Sequence, residues 1–93
     1  MKSVFQKDKE CIVCGTTINL HEHHCIYGTA NRKMSEKRGF KVYLCQTHHT
    51  GTNGVHSHNE VDTRLKEMCQ RYYEEHYGTR EEFMEEFGQN YLD

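Results

Sequence analysis

Cys11-x-x-Cys14 opens the chain's first half and Cys45-x-x-His48 closes it, with His21-Glu22-His23-His24 between the pairs and His49 directly after the second. Each x2 pair presents two soft or borderline donors from one short turn, and two such pairs make the four-donor set of a tetrahedral zinc ion. The chain must therefore bring Cys11 and Cys14 against Cys45 and His48. Pairing Cys45 with His49 is the alternative, and the usual spacing favours His48. The histidines left over are too many and too close together to serve the same ion, which points to a second metal site with a different job.

Composition makes such a staple necessary. A chain of 93 residues is one domain, and with 34% apolar residues, no tryptophan and 28% charged residues its core must be thin. Structural zinc contributes folding free energy on the order of 10 kcal/mol near neutral pH. Five cysteines are an odd count, no apolar stretch approaches the length of a membrane helix, and the opening MKSVFQKDKE is polar. The expected setting is cytoplasmic, with reduced thiols and no membrane contact. Cys25 and Cys69, spare after the zinc set is filled, read as small buried apolar residues.

The net charge of -2 conceals an asymmetry: residues 1–45 hold eight Lys/Arg against four Asp/Glu, and residues 46–93 hold four against ten. A polyanion partner would meet the N-terminal half. The densest basic stretch carries Arg32, Lys33, Lys37, Arg38 and Lys41.

The fold expected is α+β. Residues 10–16 read as a zinc knuckle, 17–27 as a strand rich in β-branched and aromatic types, 28–39 as a polar basic loop, and 40–45 as a second strand running back beside the first. A short helix starting near Gln46 carries His48 and His49. From Asn59 the spacing of Val61, Leu65, Met68, Cys69, Tyr72 and His76 predicts a helix that stops at Gly78, with Asn59 as its N-cap. Thr79-x-x-Glu82 is a capping box that opens a last helix.

This order of Cys-x-x-Cys, a strand ending in His-His, a basic connection and a short strand ending in Cys-x-x-His-His resembles the HNH nucleases, the His-Me finger or ββα-metal family. It is most similar to the small zinc-stapled members found in phages and prophages. The resemblance covers roughly residues 11–58 and leaves the last helices outside. It implies a metal-dependent endonuclease acting on DNA, with His23 as metal ligand, His24 as general base and His49 as the last ligand to the catalytic metal. Asn31 is the best positional match to the family's middle asparagine. In the family the strand ligand is more often Asp than His, and the fourth zinc ligand more often Cys than His.

The chemistry is consistent on its own terms. Phosphodiester hydrolysis needs a nucleophilic water, stabilised charge on the phosphoryl oxygens and help for the leaving oxygen. An imidazole, which titrates near ~6.5 in free peptides, is suited to accept the water's proton at neutral pH. Mg2+, Mn2+ or Zn2+ on His23 and His49 would keep open positions for substrate. His56, following Val55, is a candidate third ligand; His58 and His76 read as an exposed loop residue and a structural helix residue.

One geometric condition attaches. Adjacent strand residues face opposite ways, so His23 and His24 serve one site only if the strand ends, bends or bulges near Cys25. Strict alternation instead groups His21, His23 and Cys25, the main competing metal site. Arg32, Lys33, Lys37, Arg38 and Lys41 would hold nucleic-acid phosphates without reading bases. So short a chain is expected to grip DNA as a homodimer or within a larger phage assembly. The competing functions are a zinc-binding nucleic-acid module without chemistry, and a protein-interaction adaptor that docks through the acidic C-terminal helices.

Overall fold

In the computed structural model of the chain, residues 2–49 and 59–92 are described. The segment that carries the histidine cluster pairs with the apolar run that follows the basic stretch, as antiparallel strands β1 (Leu20–His24) and β2 (Lys41–Cys45). The register sets His21 opposite Leu44, Glu22 opposite Tyr43, His23 opposite Val42 and His24 opposite Lys41. Side chains alternate along each strand, so His21 and His23 share a face with buried Val42 and Leu44, while Glu22 and His24 share the other with Lys41 and Tyr43. β1 is shorter than the expected 17–27 run. It stops at His24, where the Cys25 amide still bonds the Phe40 carbonyl at 2.9 Å before the chain bends away.

The basic stretch between the strands is a helix, α1 (Thr29–Arg38), and not the loop expected from its polarity. Ala, Arg, Lys, Met and Glu are strong helix formers, and glycines bracket the run. Gly28 precedes it, and Gly39 ends it in the left-handed conformation at φ 73°, its amide returning to Glu36 and Ser35 carbonyls. Three contacts hold the helix down. Ser35, fully buried, donates its hydroxyl to the Ile26 carbonyl at 2.6 Å. Arg38 makes a two-pronged pair with Glu86 at 2.8 and 2.9 Å, and its guanidinium lies 4.7 Å from the Tyr77 ring centre.

β2 runs directly into the short helix α2 (Gln46–His49), which carries both histidines as its sequence suggested. Two further helices follow, α3 (Asn59–His76) and α4 (Arg80–Phe87). α3 begins at Asn59, where the spacing placed the helix start. At α4 the expected capping box is present: the Thr79 hydroxyl accepts from the Glu82 amide at 3.2 Å, and the Glu82 carboxylate accepts from the Thr79 amide at 3.1 Å. Leu65, Cys69 and Tyr73 from α3 and Phe83 and Phe87 from α4 close over Phe40, Val42, Leu44, Cys25 and Ile26. Cys25 and Cys69 are fully buried core residues, as read. Fully buried Gln70 binds the C-terminal segment, bonding Asn90 Oδ1 at 2.7 Å and accepting from the Tyr91 amide at 2.6 Å.

The N-terminal segment has no regular structure, yet it is fastened along β2. The Val4 amide bonds the Gly39 carbonyl at 3.0 Å, the Ser3 hydroxyl bonds the Lys41 carbonyl, and Gln6 Oε1 accepts the Tyr43 amide at 2.8 Å. The result is a small α+β fold with a two-stranded sheet and, among the described residues, four helices. No helix among those residues is long and apolar enough to cross a membrane.

Candidate metal centres

The knuckle forms because Gly15, at φ 78°, lets its amide reach the Cys11 carbonyl at 2.8 Å while the Cys11 amide takes the Thr16 carbonyl at 2.9 Å. The Ile12 amide bonds the Tyr43 carbonyl at 2.9 Å and seats the knuckle against β2, whose end leads into α2. Cys11, Cys14, Cys45 and His48 thereby converge, one ligand atom from each lying within 4.8 Å of all the others. The separations are those of a coordination shell. Zinc bonds of ~2.3 Å to sulfur and ~2.0–2.1 Å to nitrogen give tetrahedral edges of about 3.8 Å between sulfurs and about 3.6 Å between sulfur and nitrogen. Cys14 and Cys45 sulfurs stand 3.8 Å apart, and His48 Nδ1 lies 3.7 Å from Cys11 Sγ and 3.2 Å from Cys45 Sγ. All the cysteines are free thiols, so no disulfide competes for these sulfurs.

The electrostatics suit a cation. Burial works to raise the Cys11 thiol, but the backbone amides of Cys45, Cys14 and Val13 outweigh it and bring it down to about 6. Cys14 is pushed up: its Thr16 amide works against the shift, while burial and the thiols of Cys11 and Cys45 drive it. Crowded thiolates of this kind are relieved by a shared positive ion. The Cys3His set is therefore a group that can bind a metal ion such as zinc.

The remaining histidines collect next door. His23 is buried, and His23 Nε2 and His49 Nδ1 are both shielded from solvent. Their ring centres are 5.3 Å apart at an interplanar angle of 66°. That spacing is the one edge-to-face rings adopt, and it equals the distance of about 5 Å between two imidazoles on one tetrahedral ion at ~2.0–2.1 Å. His21 lies nearly parallel to His49, with ring centres 5.1 Å apart. The competing trio of His21, His23 and Cys25 is not gathered, because Cys25 turns into the core beside Cys69.

His24 lies on the opposite strand face from His23, yet the strand stops there and both residues line one open pocket of about 430 Å3 with Glu22, Tyr27, Gly28, Arg32 and His49. Glu22, His24 and Glu36 form the second set of potential ligands within 4.8 Å of one another among the described residues. Glu36, from α1, was not foreseen: Glu22 and His24 are readable as strand neighbours at i and i+2, but a loop reading of 28–39 places no residue beside them. Glu36 Oε1 is 3.2 Å from His24 Nε2, and Lys41 Nζ is 2.8 Å from Glu36 Oε2 and 3.4 Å from Glu22 Oε1. Lys41 first, with His24 adding to it, holds the Glu36 carboxyl down at about 2. The ammonium of Lys41 already supplies the cation here.

The other expected site residues divide. Arg32 faces the pocket, and Lys33 and Lys37 are exposed on α1. Arg38 is committed to Glu86 and Lys41 to Glu36 and Glu22, so both serve the fold where phosphate contacts were expected. Asn31 sits in the first turn of α1, half-buried, and is not among the residues lining the pocket. His56 lies outside the described residues, as does His58. No protein-family model, curated protein or solved structure matches the chain.

Proposed function

We propose that the protein is a metal-dependent endonuclease of the HNH type that hydrolyses DNA phosphodiester bonds. The observation that carries this reading is one pocket lined by His23, His24 and His49, set apart from a complete Cys3His cage. A zinc staple needs the cage alone, so a binding module or adaptor without chemistry has no use for the second set of imidazoles.

In this reading Cys11, Cys14, Cys45 and His48 hold structural zinc, and His23 with His49 would hold the catalytic cation, Mg2+, Mn2+ or Zn2+. When bound, that cation supplies positive charge to the phosphoryl and leaving oxygens. His24 accepts the proton of the attacking water. Glu36, 3.2 Å from Nε2, holds a proton on that nitrogen and leaves Nδ1 as the basic lone pair. Arg32, at the same pocket, takes a phosphate oxygen, and Lys33 and Lys37 add positive field along α1.

Replacing His24 by Ala is expected to abolish plasmid nicking in magnesium or manganese while the zinc content per chain stays unchanged. Nicking at the wild-type rate by His24→Ala would remove the mechanism.

A further inference from the structure

We infer that the N-terminal segment and the outer face of β2 form the groove that grips the sugar–phosphate backbone of the nucleic acid, an inference that rests on the function proposed above. An open groove of about 600 Å3 is lined by Lys2, Lys7, Lys9 and Lys41, with Ser3, Gln6 and Tyr43 among its walls and Glu22 its one acidic residue. Glu22 also lines the histidine pocket, so the two depressions share a wall.

Three features separate this surface from an ordinary solvated charge run. First, Lys2, Lys7 and Lys9 are exposed and make no ion pair among the described residues, a property they share with Lys33 and Lys37 of α1, whereas Arg38, Lys41, Arg64, Lys66 and Arg80 each face a carboxylate. Second, the lysines are carried on backbone fastened to β2 through Ser3 and Gln6 and to Gly39 through Val4, so their charge is held in place beside the pocket. Third, Tyr43 stands in the groove with Lys9 Nζ 5.8 Å from its ring centre, an aromatic face among cations of the kind nucleic-acid grooves use. A chain whose phosphates follow these lysines passes Glu22 and arrives at His24 and Arg32. Lys41, already shared between Glu36 and Glu22, shapes the junction and adds little free charge.

The test is binding of a short fluorescein-labelled DNA duplex, followed by anisotropy across a salt series in calcium. The proteins compared are wild type, the triple variant Lys2→Gln/Lys7→Gln/Lys9→Gln and the α1 double variant Lys33→Gln/Lys37→Gln, each checked for zinc content and melting temperature. The triple variant is expected to bind about 10-fold or more weakly, and its log–log salt slope to fall by about 2–3, since each phosphate contact contributes ~0.9. The α1 variant should lose less. Wild-type affinity and slope in the triple variant, or no DNA binding by the wild type, would overturn the inference. So would polyglutamate competing as well as DNA, which would make the groove a surface for acidic proteins. Groove-dependent binding without cleavage in any divalent metal would leave the groove standing and remove the nuclease reading alone.

Discussion

Glu36 joins the proposed base to the fold. Its carboxylate lies between Lys41 and His24, and Lys41 is the larger cause of its fall from 4.5 to about 2. A carboxyl whose folded value lies below its unfolded one adds stability that is complete above 4.5 and is lost as the pH falls towards 2. Because the side chain is 43% exposed, solvent screening limits the contribution to under about 1 kcal/mol. Glu36→Gln should therefore lower stability modestly at neutral pH, and its urea-melt difference from wild type should shrink between those two values. A difference that stays constant from neutral pH to pH 2 would mean that the ion pair is not its source. The partners of this carboxylate were only half legible in the sequence. Glu22 and His24 stand at i and i+2 on a strand and Lys41 opens the next, whereas Glu36 joins them only because residues 29–38 coil.

The element that most changes the molecule is α1. Its sequence has a weak apolar stripe, so periodicity alone reads it as loop, and its stability comes from composition, its glycine ends and the Arg38–Glu86 tie to α4. Gly39 bears two demands at once: a left-handed backbone at φ 73°, and no room for a Cβ, which would run into the Lys2 carbonyl and stand 3.0 Å from Val4 Cγ1. Gly88 has nearly the same conformation, φ 79°, with no atom within 4 Å of a Cβ. Gly88→Ala should thus cost about 1 kcal/mol of strain, and Gly39→Ala about 2–4 kcal/mol, by adding overpacking to the same strain. Equal denaturation midpoints for the two variants would show that the N-terminal segment is not seated on Gly39. The helices with clear periodicity or caps, α3 and α4, were legible directly, down to the reciprocal bonds of Thr79 and Glu82.

At the scale of the whole molecule, the Cys3His cage joins the N-terminal knuckle to the end of β2 and the start of α2. On the reading that zinc fills it, removal with a strong chelator should unfold the knuckle and loosen the sheet, because metal binding on the order of 10 kcal/mol is comparable to the entire stability of a small domain. Far-ultraviolet circular dichroism and thermal melting, with metal content measured alongside, check this. An unchanged melting curve in metal-free protein would dismiss the staple. The four cage residues could be read from the sequence because x2 spacing holds two donors on one turn, and the ion's chemistry then requires the turns to meet. Helices α3 and α4 followed from apolar period and caps, which are equally local. What only the tertiary structure decided is the surroundings of the histidines. Strand register parts His23 from His24, the end of β1 returns both to one pocket, and the coiling of residues 29–38 brings Glu36 to His24 and draws Arg38 away to Glu86. Those contacts join residues distant in sequence, and their energies depend on distance and burial, which no local pattern encodes.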